Sequence, residues 1–114
     1  MAASKYEIKL NVHLDEEKVP GEMNWEATSH QDGPQEIKAF LLSVFDKETQ
    51  DTFKIDLWTR DMQVMEMDRF FYQTFRALCD TYKRSTHNDK LASEMEQFTQ
   101  YFGEQTDIIP SSTV

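Results

Sequence analysis

The N-terminal part of the chain alternates apolar and polar residues. In the segment "YEIKLNVHL", four apolar side chains fall on one side of an extended chain, and polar side chains fall on the other. The apolar set consists of Ile8, Leu10, Val12 and Leu14. Because strict alternation over four to eight residues is typical of a half-buried strand, this segment predicts the first strand of the fold.

The next segment, about 16–35, has no clear period and is rich in residues that favour turns. Pro20-Gly21 fits the centre of a type II turn, and Asp32-Gly33-Pro34 marks a second break. The pattern therefore predicts a long loop. Since a structureless stretch of this length is uncommon within a compact domain, the loop is either functional or contains a short strand at 22–27.

Two more strands are predicted by "EIKAFLLSVF" and "DTFKIDLW", and the short polar link between them predicts an antiparallel hairpin. The apolar rows of the two strands share one face only if odd-numbered residues of one strand oppose even-numbered residues of the other. Closing the hairpin at Asp46 and Asp51 would place like charges opposite each other, which is destabilising. We therefore predict closure at Lys47 and Thr52.

Two helices follow the hairpin. The first runs from about Met62 to Arg84, and its apolar residues recur at steps of three and four. Its apolar arc is wider than the usual stripe of about 100°, which indicates that this helix contacts more than one surface. The second helix ends at about Phe102, with Gly103 as the C-cap. Residues from about 104 to 114 are expected to form a loose C-terminal tail.

These elements predict an α+β fold in a single domain, residues 1–114. The sheet is antiparallel and has three strands, with 22–27 as the candidate fourth, and the two-helix hairpin packs on one face of it. A length of 114 residues fits one domain with a modest core.

The charge balance excludes some classes of partner. The chain carries 21 acidic and 12 basic side chains, which gives a formal net charge of -9. This charge repels phosphate backbones and anionic lipid, so we expect no binding to nucleic acid and no insertion into a membrane. An acidic surface suits a protein partner that is basic or of mixed charge.

The sequence also predicts a cytoplasmic protein. No apolar run approaches the roughly 20 residues that cross a bilayer, and the alternating N-terminus lacks the continuous apolar core of a signal peptide. The single cysteine, Cys79, lies within a helical pattern, so no internal disulfide forms.

Motifs that carry chemistry are missing from the sequence. The three histidines have no partner at metal-ligand spacing, and the acidic run at 15–17 lacks the alternating ligands and the glycine of an EF-hand. Three glycines are too few for a phosphate-binding loop, and no GxSxG motif is present. We therefore expect no enzyme activity, no cofactor and no bound metal.

Apolar side chains remain on the sheet face that points away from the helices. The second predicted strand is apolar on both faces, and the helices cover only one of them. Leu41, Phe45 and Trp58 are left over, and the predicted register sets Leu41 opposite Trp58. Either the 16–35 loop covers these residues through Trp25, or the face binds a partner. These four residues are the candidate partner-binding site, since Trp and Phe are favoured at interfaces.

The chain resembles a known family, the gliding motility-associated GldC proteins. The resemblance covers nearly the whole chain and lies in "EIKLNVHLDEEKVPGEMNWEA", "KAFLLSVFD", "IDLWTRDMQVMEMDRFFYQTF", "ALCDTY" and "MEQFTQYF". The chain has Gln63 where the family pattern tends to have proline. The resemblance implies a small soluble accessory of the gliding machinery that works through protein contacts. The apolar sheet face makes a second copy of the chain, as a homodimer, or another motility component its candidate partner. The resemblance implies no ligand, cofactor or active site.

Two other functions stay open from the sequence. The order of antiparallel strands followed by two helices, together with the acidic surface, is similar to the layout of SecB-type export chaperones. An open apolar groove would favour such a cargo or export chaperone. A deep pocket with converging polar groups would instead favour a small-molecule-binding domain.

Overall fold

The computed structural model describes residues 4–111 and shows an α+β fold of five antiparallel strands in two sheets, followed by two helices. The chain forms two compact units, of which the first ends at Met62 and the second begins at Gln63, where the sequence predicts one domain. The first unit contains β1 (Ile8–Leu14), β2 (Pro20–Ala27), β3 (His30–Ile37), β4 (Ala39–Phe45) and β5 (Thr52–Trp58). The second contains α1 (Val64–Thr86) and α2 (Asp89–Gln105).

The predicted long loop at 16–35 is wrong, because most of it forms β2 and β3. These strands complete a three-stranded antiparallel sheet in the order β1-β2-β3. The strand at 22–27 is real and longer than expected, and β3 raises the strand count of the fold to five. The reason is visible in β2, where Met23, Trp25 and Ala27 alternate with polar residues and pair with Val12, Leu10 and Ile8.

The turns also differ from the predicted ones. The β1–β2 turn spans Asp15 to Val19, with Lys18 in the left-handed region at φ 66°, so Pro20 and Gly21 begin β2. Asp15 closes this turn, because its Oδ1 accepts hydrogen bonds from the backbone N–H groups of Glu17 at 2.8 Å and Val19 at 3.0 Å. The Asp15 side chain, and not the proline-glycine pair, therefore determines where the chain turns between β1 and β2.

Met23 is the buried centre of the first sheet. Its exposed fraction is 0%, and it is the largest fully buried side chain in residues 4–111. In the sheet it lies between its cross-strand partners Val12 and Ile37. A residue that the sequence assigned to a loop is therefore the best-buried part of the core.

β4 and β5 form a separate two-stranded antiparallel sheet, and their predicted register is wrong by two residues. Phe45 pairs with Thr52 and Leu41 with Asp56, so the turn closes between Asp46 and Asp51. Like-charge repulsion does not decide this turn, because Asp46 accepts hydrogen bonds from the N–H groups of Thr49 at 2.8 Å and Glu48 at 3.1 Å. These bonds lower the pKa of Asp46, and the bond from the Thr49 N–H has the largest effect. They stabilise the charged form of Asp46 within the turn.

In the second unit, α1 and α2 form an antiparallel hairpin. The Phe75 ring of α1 lies edge-on to Phe98 and Phe102 of α2, with ring centroids 5.8 Å and 5.1 Å apart. Asn88 caps α2, since its Oδ1 accepts the Leu91 N–H at 3.1 Å. At the start of α1, the Gln63 N–H donates to Glu66 Oε1 at 3.0 Å, so Glu66 caps this helix.

The predicted C-cap at Gly103 is wrong, because α2 continues through it to Gln105. A Cβ at this position would lie 2.6 Å from Cε1 of Tyr72 and 2.9 Å from Cγ1 of Ile109, so the missing side chain lets these groups approach the helix. The Ile109 N–H and the Ile108 N–H both donate to Gly103 O. The predicted tail at 104–114 is therefore helical at its start and folds back at 106–109, while 112–114 lie outside the described residues.

Candidate protein interface

The charged junction after β5 is a structural corner. The Thr59 hydroxyl donates to Asp61 Oδ1 at 2.6 Å, and this bond lowers the pKa of Asp61. Arg60 donates to Asp15 Oδ2 at 2.8 Å and to Glu17 Oε2 at 3.0 Å. The pKa of Asp15 is lowered by the Val19 N–H and by Arg60. The corner thus fixes the base of the β4–β5 hairpin to the β1–β2 turn.

Three of the four predicted partner-binding residues share one face of the β4–β5 hairpin, here called face two. Leu41, Phe45 and Trp58 lie on it and are 38%, 69% and 53% exposed. In the observed register Trp58 opposes Ala39, so Leu41 and Trp58 are diagonal neighbours and not the direct cross-strand pair that we predicted. They remain within reach of each other, because diagonal positions lie about 7–8 Å apart.

The fourth predicted residue, Trp25, lies elsewhere. It belongs to β2, where it opposes Leu10 and Gln35, and its ring stacks on His30 with centroids 5.2 Å apart. Trp25 is half-buried in the three-stranded sheet, and the exposed Leu41, Phe45 and Trp58 show that segment 16–35 does not cover face two. The candidate site therefore loses Trp25.

The opposite side of the hairpin, here called face one, is a larger apolar surface, which the sequence predicts to face the helices. It consists of three cross-strand pairs: Phe40–Leu57, Leu42–Ile55 and Val44–Phe53. Four of these side chains are 41–57% exposed. Face one carries no charge, whereas Lys54 and Asp56 form an ion pair on face two. The alternation in β5 shows from sequence that its apolar residues share one face. That this face is exposed is known only from the structure.

A second open apolar surface lies between the two helices. A cleft of about 380 Å³ is lined by side chains of both helices. Its lining includes Phe75, Leu78, Leu91, Met95 and Phe98, with Glu94 as the one charged residue. Leu78, Leu91 and Phe98 are 50%, 41% and 55% exposed. The wide apolar arc predicted for α1 thus contributes to this cleft.

No cluster of three or more His, Cys, Asp or Glu side chains suited to a metal ion occurs within residues 4–111. We predict that a chelator such as EDTA leaves the melting temperature of the protein unchanged. A structural metal contributes directly to the free energy of folding, so its removal would lower the melting temperature by several degrees, and such a drop would contradict the prediction. The readout is thermal unfolding followed by circular dichroism with and without chelator.

Neither helix in the described part of the chain combines the length and the apolar content that a membrane span requires.

Cys79 is buried, and its Sγ lies 3.5 Å from Oγ1 of Thr99. The thiol is therefore a packing group between the two helices.

The chain matches the model of a known protein family. The family is described as "Gliding motility-associated protein GldC-like", and the match covers residues 20–108. No curated protein and no solved structure matches the chain. The matched range contains the whole β4–β5 hairpin and both helices.

Proposed function

The chain belongs to the gliding motility-associated GldC-like family, and from this premise we propose that it is a small accessory protein of the gliding machinery. In this proposal it acts without catalysis and without a cofactor, through contacts with other proteins. It works in the cytoplasm, where its acidic surface, with a net charge of -9, favours a partner that is basic around an apolar patch.

The observation that carries this proposal is the open β4–β5 hairpin. A two-stranded sheet is only marginally stable by itself in water, and this one exposes apolar side chains on both faces. Leu41, Phe45 and Trp58 on face two surround a single ion pair, which resembles the mixture of aromatic anchors and polar groups found in protein interfaces. We assign the contact with the gliding partner to face two.

The test combines capture and stability measurements. Wild-type protein and the variants Phe45→Glu and Trp58→Ala are used to capture partners from a gliding bacterium, and mass spectrometry identifies gliding components in each. We expect both variants to weaken binding by about 30-fold, since interface anchors contribute about 2 kcal/mol or more. Because these side chains are more than half exposed, the free energy of unfolding should change by no more than about 1 kcal/mol.

Two further variants make the test specific. Val64→Glu is the matched charge control, because Val64 is 79% exposed and an acidic residue is favourable in the first turn of a helix. Phe98→Glu places the same charge in the cleft between the helices. Binding that survives Phe45→Glu and is lost in Phe98→Glu would contradict the assignment to face two and place the contact on the helices.

A second candidate function has one observation in its favour. The open apolar cleft between α1 and α2 is the feature expected of a cargo or export chaperone. A chaperone suppresses the aggregation of many unfolded proteins, whereas a dedicated accessory binds one folded partner. Light scattering from a diluted unfolded protein, with wild type and Phe98→Glu compared, separates the two functions. This cleft does not favour the small-molecule alternative, because polar groups do not converge in it.

A further inference from the structure

The two sheets leave four strand edges open in the part of the chain that the structure describes. These are the outer edges of β1 and β3 in one sheet, and one edge each of β4 and β5 in the other. Open edges normally carry charged residues, proline or bulges that prevent pairing with another chain. Three of the four follow this rule, with Lys9 in β1, Pro34 in β3 and Lys54 in β5.

β4 is the exception. Its sequence, "AFLLSVF", contains no charge, no proline and no glycine. The pairing of β4 with β5 is regular, because it runs from Ala39 to Phe45 without a bulge. A regular, uncharged and apolar edge strand is a template for the addition of another strand.

The hydrogen bonds at the ends of the hairpin show which backbone groups face this edge. The Asp46 N–H donates to Asp51 O at 2.9 Å, and the Thr59 N–H donates to Lys38 O at 2.8 Å. In an antiparallel ladder such bonded pairs alternate with non-bonded pairs, so even-numbered residues of β4 bond to β5. Odd-numbered residues, Ala39 to Phe45, therefore direct their N–H and C=O groups to the open edge.

We propose that β4 pairs antiparallel with β4 of a second copy of this chain, which joins the two hairpins into one four-stranded sheet. Full overlap of the strands sets Leu42 opposite its own copy on the two-fold axis, and Phe40 opposite Val44. Large side chains then meet smaller ones, and face one becomes a continuous apolar layer across both copies. The inference does not rest on the proposed function, because the pairing uses the strand edge and leaves face two open.

Charge does not oppose a second copy at this edge, although it opposes one elsewhere on the surface. A chain with a net charge of -9 repels its own copy over most of its surface. Between residues 39 and 45 no like charges would meet, because the strand has none. An isologous contact also requires one patch that complements itself, and an uncharged apolar strand with antiparallel overlap meets this requirement.

The first test blocks the edge without disturbing the hairpin. Ser43→Pro removes an N–H that points outward, whereas the bonds between β4 and β5 use even-numbered residues. Ser43→Ala is the matched control, because it keeps that N–H. Light scattering after size exclusion should give twice the chain mass of 13.5 kDa for the wild type and Ser43→Ala, and a single mass for Ser43→Pro. A wild type that stays monomeric at the highest concentration overturns the proposal, as does a Ser43→Pro variant that stays dimeric.

The second test reports the register and does not depend on the folding of Ser43→Pro. On the two-fold axis the Cα atoms of residue 42 in a non-bonded pair lie about 4.5 Å apart, which permits a disulfide. Leu42→Cys should therefore cross-link under mild oxidation. Ile55→Cys lies on the same face but about 14 Å from its copy, and the wild type has only the buried Cys79. Cross-linking of Ile55→Cys in place of Leu42→Cys would show face-to-face contact and overturn the edge pairing.

Discussion

Replacing Met23 with alanine is expected to lower the free energy of unfolding by about 2–5 kcal/mol, the usual cost of truncating a fully buried methionine. The side chain is 0% exposed and lies between Val12 and Ile37 in the central strand of the first sheet. Its removal loses apolar burial and leaves a cavity that neighbouring strands fill only in part. Urea unfolding followed by circular dichroism measures the change.

Met65→Ala is the control for the same chemical change at an exposed site. Met65 lies in the first turns of α1 and is 70% exposed, so its truncation should change the free energy of unfolding by no more than about 0.5 kcal/mol. Equal effects of the two substitutions would contradict the placement of Met23 in the core. Equal effects would instead support the long loop that the composition of segment 16–35 suggests.

Replacing Gly103 with alanine is expected to destabilise the protein by about 1–3 kcal/mol, the usual cost of overpacking. The direction of the change in stability is informative, because replacing glycine by alanine within a helix normally raises the free energy of unfolding by about 0.5–1 kcal/mol. Here the new Cβ would lie 2.6 Å from Cε1 of Tyr72 and 2.9 Å from Cγ1 of Ile109. The two helices, or the residues after α2, must therefore move apart.

Two comparisons test this mechanism. In Gly21→Ala the new Cβ would meet only His13 O at 4.0 Å, so we expect a change of no more than about 0.5 kcal/mol. Tyr72→Ala should reduce the loss caused by Gly103→Ala, because residues in contact show non-additive effects. A gain in stability from Gly103→Ala by itself would show that helix propensity outweighs the contact and that the close packing is wrong.

Strands and helices with a clear period were predictable from the sequence. The alternation in β1 and β5 and the short apolar run of β4 predict these strands, and the three-four spacing predicts both helices. Segment 16–35 was not predictable, because its proline and glycine residues suggest turns and their effect is overridden by pairing between strands. β2 forms because Met23 and Trp25 find partners in β1, and β3 pairs in turn with β2. Such non-local pairing is not visible in local propensity.

The hairpin register failed for a related reason. Repulsion between Asp46 and Asp51 disfavours the observed register, but the hydrogen bonds that Asp46 accepts inside the turn are not visible in the sequence. Asp46 accepts two backbone N–H groups, and Gln50 adopts a left-handed conformation at φ 59° that closes the loop. Local hydrogen bonds to a charged acceptor exceed a solvent-screened repulsion.

The candidate site was predictable in part. Leu41, Phe45 and Trp58 follow from the odd-even pairing alone, which holds in both registers, so the three residues share a face although the register is wrong by two residues. The position of Trp25 depended on the path of segment 16–35, and the structure places Trp25 in β2 and not on face two. The exposure of face one was not predictable, because a row such as Val44, Phe53 and Ile55 looks the same in a core and on an interface. The packing of the two helices on one face of the sheet stays a prediction.

We propose that the protein serves gliding through face two of its β4–β5 hairpin. The most direct measurement is the gliding speed of cells in which the chromosomal copy carries Phe45→Glu, with Val64→Glu cells as the control and protein abundance measured in both. The account predicts that Phe45→Glu cells lose gliding at normal abundance, while Val64→Glu cells glide like the wild type. Normal gliding of Phe45→Glu cells would contradict the claim.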